Sequence, residues 1–532
     1  MLDSGSTGGI DGGYLIVFLG LVVLWAAEHF LIQASLFDFT PITLHPMGYQ
    51  LVRLAINLSA AFLLVMTSNR EVLILLLGLD FLVSLVVLAY RQYFHRAFSL
   101  FFAVQNFREG LKVSSFAIQI IPSKVWLGMV SCLLAKILLA TKVCSYPVEA
   151  TIRPGLVTAG GPVLLITALV MGLQKTSFRF ASIRGTPITR AVYVYGYVIS
   201  WFAEFIIAPD TQEVAEEVAR LQEVSPDRLR EIEPGWPVDR NVVVVQLESF
   251  GWNVLNFGLN GKAVTPYLNK LAGSSRVFKI QVYHDIGSAD MDYAVLSGGL
   301  PSKRLVSYFV PGLDYARALP RFMSRQGYRT MSLHGATGDF YNRRANFERM
   351  GWDEIHFREE FKGLGVEQSY WGVRDAEIFR LSSKKLRAAT EREFHFIITL
   401  DTHGPFNLIR EDEKDIFPQS RVWQENYFNS MSALDKNLQE YVTSLPEGTL
   451  VIFYGDHTAG VDYQGFAPAR EGTAEYVPCL VHVTPAPGVV SFSPELNHEL
   501  PPDLRIHDIV NFMRHQVQKN KKVVPVLQTS RG

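Results

Sequence analysis

Apolar and polar positions divide the chain into two halves near Pro209. Ahead of that residue the apolar positions run together in long segments; beyond it, short apolar runs alternate with charged and aromatic positions, as in a globular domain. Five segments approach the ~20 residues that a bilayer requires of a helix: Gly13–Gln33, Leu51–Met66, Val72–Tyr90, Val125–Ala140 and Leu156–Leu173. A sixth, residues 191–208 ("AVYVYGYVISWFAEFIIA"), is aromatic and carries Glu204; it is read as interfacial, although it is long enough to span. Glu28 and His29 fall at the end of the first segment, where they are expected to reach headgroups or water at the edge of the bilayer.

The second half reads as strands alternating with amphipathic helices. "NVVVVQLES", "FKIQVYH", "YRTMSLHG", "FHFIITLDTHG", "TLVIFYGDHTAG" and "VPCLVHVTP" are the strand-like runs. Their alternation with helical stretches predicts an α/β domain with a largely parallel central sheet flanked by helices. The expected organisation is a multi-span α-helical membrane domain over 1–190, an interfacial or sixth helix and linker over 191–236, an α/β domain over 237–520, and a basic tail over 521–532.

Charge adds little and excludes one class of partner. The 532 residues carry a formal net charge of −1, which gives no electrostatic reason to expect nucleic acid. The N-terminal "MLDSGSTGGIDGGY" has no basic region and does not read as a cleaved signal peptide. Basic residues concentrate between the third and fourth spans (Arg91, Arg96, Arg108, Lys112, Lys124) and after the fifth (Lys175, Arg179, Arg184, Arg190), which places both loops in the cytoplasm. Five spans then leave the α/β domain inside, and six carry it outside. Cys132, Cys144 and Cys479 are the three cysteines, so no disulfide can form within the second half, and the compartment stays open.

Chemistry collects at strand ends. "VVVVQLES" reads as a buried parallel strand that delivers Glu248 at its carboxyl end, "IITLDTHGPF" passes through Asp401 and His403, and "VIFYGDHTAG" ends on Asp456 and His457. Open α/β sheets bind ligands outside the carboxyl ends of their strands. Several apolar strands that discharge carboxylate and imidazole at one edge make a metal-site candidate with oxygen and nitrogen donors suited to Mn²⁺, Zn²⁺ or Mg²⁺. The nucleophile candidate is Ser288 in "HDIGSADMDYAVLSGGLPS", because a divalent cation lowers the pKa of a hydroxyl that it binds. The competing reading of Ser288 is a helix N-cap, a role that Asp290 also suits.

The ordered set Glu248 at a strand end, the Ser288 loop, "LHGATGDFYNR", "DTHGPF" and "YGDH" resembles the sulfatase-type branch of the alkaline phosphatase superfamily, and more narrowly the lipoteichoic acid synthase and phosphoglycerol transferase family. The resemblance extends over nearly the whole chain, since that family also has about five membrane spans, a juxtamembrane helix and an extracellular catalytic domain. It implies metal ligands at Glu248, Ser288, Asp456 and His457, a catalytic nucleophile at Ser288, and substrate-binding residues at His334, Tyr341, Arg343 and His403. Arg343 would hold phosphate through its planar fork, and the histidines would donate to phosphate or act as acid and base. Three departures stand out. Serine replaces the family's usual threonine, Tyr341 replaces its tryptophan, and "DHTAGVDYQG" lacks a clear counterpart to the serine that contacts the glycerol headgroup.

What the resemblance implies is a multi-pass protein of the inner or plasma membrane with its catalytic domain on the extracytoplasmic side. One divalent metal, Mn²⁺ ahead of Mg²⁺ or Zn²⁺, would serve a phosphotransferase that moves a phosphoglycerol-type headgroup from a phospholipid donor such as phosphatidylglycerol, through a phosphoserine, to a hydroxyl of a glycan or polymer acceptor. Phosphoethanolamine transfer and phosphodiester hydrolysis are the near rivals. Sulfate-ester hydrolysis is disfavoured, because Ser288 is not followed by the Pro and Arg of the formylglycine motif. A non-catalytic sensor with the same fold is the rival of a different class, and the retention of Glu248, Ser288, Asp456 and His457 argues against it.

Overall fold

The computed structural model describes residues 12–34, 57, 70–94, 98–105, 121–145, 197, 200–201, 211–223, 227–233, 235–236, 240–283, 287–302, 306–369, 371–404, 406, 409–467, 474–486 and 500–521. The chain forms two compact units, Met1–Pro209 and Asp210–Gly532.

Three long helices are described in the first unit: α1 (Gly12–Ala34), α2 (Arg70–Phe94) and α3 (Ser123–Ser145). Arg70–Tyr90 of α2 and all of α3 are long and apolar enough to cross a membrane, while α1 has a shorter apolar stretch, Leu15–His29. Their packing is apolar at the contact, with Phe18, Leu21, Val22 and Trp25 of α1 against Leu73 and Leu77 of α2 and Ala140 and Val143 of α3. The opposite faces carry exposed Ile16, Val23, Leu75, Leu82, Leu127 and Leu138. The expected spans Leu51–Met66 and Leu156–Leu173 and most of the aromatic segment 191–208 lie outside the described residues.

The second unit is built on a seven-stranded sheet. In chain order its strands are β1 (Val242–Leu247), β2 (Arg276–Gln281), β3 (Tyr328–His334), β4 (Glu354–His356), β5 (Arg392–Ile398), β6 (Leu450–Gly455) and β7 (Tyr476–Val483). In space they run β2-β7-β6-β1-β5-β3-β4. β1 pairs in parallel with β5 and β6, so that Val244 lies opposite Phe396 on one side and Ile452 on the other. β3 is parallel to both β5 and β4. β7 alone among these strands runs antiparallel, against β6 and β2. The β-branched run at 242–245 is buried on both faces, as a central parallel strand must be.

Helices cover both faces. On one, Val243, Val245 and Leu247 meet α5 (Pro266–Ala272), α9 (Asp375–Ala388) and α10 (Trp423–Ser444) through Leu268, Ile378, Phe379, Met431 and Leu438. Tyr427, Met431, Leu434, Leu438, Tyr441 and Val442 recur at three- and four-residue spacing on α10 and form its buried stripe, each contributing roughly 1.5–3 kcal/mol by burial. Asp435 on the same helix accepts 2.8 Å hydrogen bonds from the Tyr267 and Leu268 amides, which satisfies orphan donors at the start of α5. The other face holds α6 (Ala289–Ser297), α7 (Leu319–Arg325), α8 (Arg343–Met350) and α11 (Ile506–Lys521). There Trp352 stacks on Phe394 at 5.6 Å.

Helix α4 (Thr211–Leu221) and residues 227–236 also belong to this unit. A Cβ on Gly299 would lie 1.8 Å from the Leu221 carbonyl oxygen, so only glycine lets the end of α4 close on the turn that follows α6. Arg220 donates to the Pro301 carbonyl at 2.9 Å, and Ser302 donates to Glu217. Further on, buried Glu233 pairs with buried Arg276 of β2 at 2.9 Å, and Trp236 packs edge-on against Phe512 of α11.

Candidate active site

Because β1, β3, β5 and β6 are parallel, their carboxyl ends lie along one edge of the sheet, the edge at which ligands bind in such folds. Glu248 follows β1, His334 is the last residue of β3, Asp401–His403 follow β5, and Asp456–His457 follow β6. The turn that carries Glu248 is held on every side. Its amide donates to Thr399 Oγ1 at 2.9 Å, and its carbonyl accepts from Thr402 Oγ1 at 2.7 Å. Ser249, at φ 58°, donates its amide to Asp456 Oδ1 at 2.8 Å, and its carbonyl accepts from Tyr427. A non-glycine residue in the left-handed region costs energy and persists only where its surroundings over-determine it, as this network does.

Glu248, Asp456 and His457 converge, with one donor atom of each within 4.8 Å of the others. His457 Nε2 lies 3.1 Å from Glu248 Oε1, while its Nδ1 faces the Thr458 carbonyl oxygen at 2.9 Å. Donation from Nδ1–H to that carbonyl leaves Nε2 as the ligand atom, the usual way a second contact fixes a metal-binding imidazole. Asp456 Oδ1 accepts two amides, whereas its fully buried Oδ2 has no hydrogen-bond partner. Burial pushes the Asp456 carboxyl well above the usual carboxylate range, and the neighbouring Glu248 adds to the rise. Burial acts on Glu248 in the same sense, but His403 and His457 outweigh it and hold that carboxyl far below its ordinary range. Burial works against a charged His457, yet Asp456 and Glu248 raise it to about 10. Two buried carboxylates, one orphaned oxygen and one oriented imidazole form a donor set that fits a single divalent cation with bonds of roughly 2.0–2.2 Å.

Ser288 precedes α6 with helical dihedrals (φ −56°, ψ −26°), and its side chain makes no cap hydrogen bond. The hydroxyl is therefore not consumed by the helix, which removes the main support for the N-cap reading. Gln246 of β1 ties this residue to the sheet edge through a 3.5 Å contact from Nε2 to the Ser288 carbonyl, and Tyr454 of β6 fixes the Gln246 amide at 2.6 Å.

One turn beyond Ser288, buried Asp292 accepts from Arg343 Nε at 3.1 Å and Nη2 at 2.6 Å, and from the Tyr308 hydroxyl. Burial pushes the Asp292 carboxyl up against these partners; burial likewise opposes a charged Arg343, but Asp292 holds the guanidinium above its ordinary range. The Arg343 guanidinium also lies over the Tyr341 ring, 5.1 Å from its centroid. Tyr341 and Asn342 occupy consecutive left-handed conformations, φ 56° and 58°, and Asn342 and Asn346 both anchor to the Tyr308 carbonyl. A Cβ on Gly287 would sit 2.6 Å from the Tyr341 hydroxyl, so Tyr341 packs directly on the residue before Ser288.

The two other histidines approach from neighbouring strands. His334 is buried, and its Nδ1 faces the Ile398 carbonyl at 3.0 Å. Burial, with Arg343 nearby, pulls it down to about 3, so the ring is neutral with Nε2 as an acceptor. His403 Nδ1 faces the Gly404 carbonyl at 2.6 Å, and its ring meets Trp371 edge-on at 4.6 Å. The loop that carries it is set by Asp375, which accepts from the Leu400 and Asp401 amides. A Cβ on Gly335 would meet the Val373 carbonyl at 2.2 Å, and one on Gly372 the Gly335 carbonyl at 2.0 Å, so these backbones touch beneath the site.

All eight residues singled out in the sequence thus lie on the sheet-edge turns, on β3 or at the starts of α6 and α8. Sequence reasoning missed the residues that hold them: Gln246, Thr399, Thr402, Asp292, Tyr308 and Tyr454. The one signal available was the four-residue spacing from Ser288 to Asp292, a helical turn.

Residues 240–489 match the Sulfatase family model. Lipoteichoic acid synthase 1 of Bacillus subtilis is 29% identical over 235 residues, 41% of this chain and 36% of that protein. Lipoteichoic acid synthase of Staphylococcus saprophyticus is 28% identical over 234 residues, with the same coverage of each chain. The match thus spans about a third of the length of these curated relatives. Among solved structures, the lipoteichoic acid synthase LtaP of Listeria monocytogenes aligns with a TM-score of 0.41 at 22% identity, covering 52% of this chain and 73% of that one. The phosphoethanolamine transferase EptA of Neisseria meningitidis aligns with a TM-score of 0.49 at 15% identity, covering 88% of both chains.

Proposed function

We propose, for a chain whose residues 240–489 form a sulfatase-family domain, a membrane-anchored phosphotransferase that moves a phosphoglycerol-type headgroup from a phospholipid to a hydroxyl of a glycan or polymer. The observation that carries this reading is the uncapped Ser288 hydroxyl, on a residue tied by Gln246 to the same sheet edge as the Glu248–Asp456–His457 cluster. The likeness to lipoteichoic acid synthases is the ground for preferring a glycerol phosphate headgroup. The apolar helices α2 and α3 support a membrane-embedded first half. The domain is assigned to the extracytoplasmic side, where such acceptors lie.

Glu248, Asp456 and His457, with Ser288, would hold one divalent cation, most simply Mn²⁺. The cation supplies charge stabilisation at the phosphoryl oxygens and at the serine oxygen. Arg343, held by Asp292, presents its remaining guanidinium edge to a nonbridging oxygen. In the first displacement the bond from Ser288 Oγ to phosphorus forms, with release of the serine hydroxyl proton, as the bond from phosphorus to the diacylglycerol oxygen breaks and that oxygen takes up one proton. In the second, an acceptor hydroxyl oxygen bonds to phosphorus and Ser288 Oγ departs. Neutral His334, pulled too low to hold a proton near neutral pH, can accept a hydrogen bond from the acceptor hydroxyl through Nε2, which leaves His403 as the imidazole to exchange protons with the attacking and leaving oxygens.

The test is intact-mass spectrometry of the full chain after incubation with Mn²⁺ and phosphatidylglycerol in mixed micelles. A glycerol phosphate adduct that maps to Ser288 and is absent in Ser288→Ala is expected. No adduct on Ser288 with any phospholipid, alongside intact turnover in Ser288→Ala, would overturn the reading; an ethanolamine phosphate adduct would reassign the headgroup.

A further inference from the structure

Two aromatic rings reach one lysine at the same edge of the sheet as the Glu248–Asp456–His457 cluster. Lys279 lies on β2, an outer strand, with its ammonium 4.6 Å from the centroid of the Tyr476 ring and 5.7 Å from that of Trp252. Both rings are half-buried, and the lysine is exposed. Lys279 forms no ion pair among the described residues. Glu475, which precedes Tyr476, turns its Oε1 to the Thr458 amide instead.

The strand order fixes where this lysine stands. β7 is antiparallel to both β6 and β2, so β2 runs the same way as β6, and its carboxyl end and the start of β7 both lie on the edge that carries Asp456 and His457. Thr458, directly after His457, joins both rings to the cluster. A Cβ on Gly251, the residue before Trp252, would lie 2.8 Å from Thr458 Cγ2, and the Thr458 amide donates to the residue before Tyr476. His457 Nδ1 faces the Thr458 carbonyl in turn. The sheet order places the cluster, on β1 and β6, between two flanks. His334 and His403 come from the β3 and β5 flank, whereas Lys279 stands on the β7 and β2 flank.

Lysine on an edge strand commonly serves to keep sheets from pairing, a role that needs only a charge in water. Here the ammonium lies between ring faces, which attract a cation through their quadrupole and confine a side chain that is otherwise flexible. A ring, unlike a carboxylate, leaves the charge of the ammonium uncancelled and its N–H donors open to a second partner. As a point charge it suits carboxylate and phosphate alike.

We propose that Lys279, held by Trp252 and Tyr476, is a binding site for the acceptor: a sugar or polyol that carries an anionic group, carboxylate or phosphate, close to the hydroxyl it presents to the metal cluster. The anionic group rests on the Lys279 ammonium while the hydroxyl lies at the end of β6. This rests on the phosphotransferase reading and narrows it, since it selects acidic acceptors over uncharged ones.

The experiment is a competition. The full chain, with Mn²⁺ and phosphatidylglycerol in mixed micelles, is offered methyl glucoside together with either methyl glucuronide or methyl glucoside 6-phosphate, and the transfer products are counted by mass spectrometry. Within one vessel the product ratio equals the ratio of kcat/KM values, whatever fraction of a variant is folded. The wild type is expected to prefer the acidic acceptors, Lys279→Arg to keep the preference, and Lys279→Met to lower it by about tenfold or more, as loss of a charge-assisted contact implies. Tyr476→Leu should lower it by less. A ratio unchanged in Lys279→Met would overturn the proposal. Saturation-transfer NMR of methyl glucoside 6-phosphate with the metal-stripped Ser288→Ala chain separates the two premises. Binding that persists undiminished after Lys279→Met refutes the site, whereas Lys279-dependent binding in a protein that never forms an adduct on Ser288 refutes the phosphotransferase reading and upholds the anion site.

Discussion

Asp292→Asn is the sharpest perturbation of the site, because it keeps the shape of the side chain and removes only the charge. Arg343 is buried to 2% exposure and spends both Nε and Nη2 on the Asp292 carboxylate. Loss of one partner in a buried pair leaves the other charge uncompensated, at ~3–5 kcal/mol. For a unit of this size that corresponds to a fall in Tm on the order of 10 °C. Asparagine also turns an N–H towards a site that held only acceptors, facing either Arg343 or the Tyr308 hydroxyl, so the guanidinium loses its fixed orientation. If Arg343 contributes ~2–3 kcal/mol to holding the phosphoryl group in the transition state, kcat/KM falls by roughly 30- to 150-fold. The assay is diacylglycerol release from short-chain phosphatidylglycerol by the Mn²⁺-loaded full chain, with Tm measured in parallel. Asp292→Glu keeps the charge at the expense of one added methylene, and should retain much more activity than the asparagine variant. Asparagine within twofold of wild type in kcat/KM, at unchanged Tm, would refute the claim that Asp292 orients Arg343. Equal losses for Asn and Glu would show that packing, not charge, is what matters there.

Mn²⁺ added to the chelator-stripped chain should raise Tm through binding to the folded state, by ~2.7 kcal/mol at a hundredfold excess over Kd; Asp456→Ala should abolish the shift, and an unchanged shift in that variant would place the ion elsewhere. Gly287→Ala drives a methyl to 2.6 Å from the Tyr341 hydroxyl and should cut turnover at least tenfold, whereas Gly287→Ala combined with Tyr341→Phe should recover part of it; a double variant worse than the product of its singles would show that the two do not clash. His334 is pulled down to about 3 in the fold, below its unfolded value near 6.5, so its contribution to stability is complete above pH 6.5 and is lost as pH falls towards 3. Urea midpoints across that window should show a pH slope that His334→Gln flattens, and parallel slopes would exclude His334 as the source.

The parallel strands and the residues at their ends were legible because each follows a β-branched or aromatic run with no competing period, and such strands align their carboxyl ends. β4 was not legible: three half-buried residues, Glu354–His356, carry no periodic signal. The Asp292–Arg343 pair spans 51 positions, and nothing in either local sequence announces the other. The left-handed pair at Tyr341 and Asn342 was hidden for a related reason, since tyrosine is a poor αL former and Asn342 is anchored by the distant Tyr308 carbonyl. In the first unit, hydropathy marks a helix but not the face that meets its neighbours. The contacts of Lys136 with Glu28 and Asp80 appear only once α1, α2 and α3 pack.

The contact at Gly299 bears on how the second unit can be handled. A tether that only connects can be trimmed without loss, but the end of α4 is seated in a notch that exists because residue 299 has no side chain, and Glu233 supplies the carboxylate that holds buried Arg276. A soluble fragment that starts after residue 236 would strip an edge strand of its ion pair and open the turn behind the helix that Ser288 leads. Fragments cut ahead of Thr211 should stay monodisperse, and those cut after Trp236 should aggregate, which makes α4 and the residues that follow it part of the second unit's own fold.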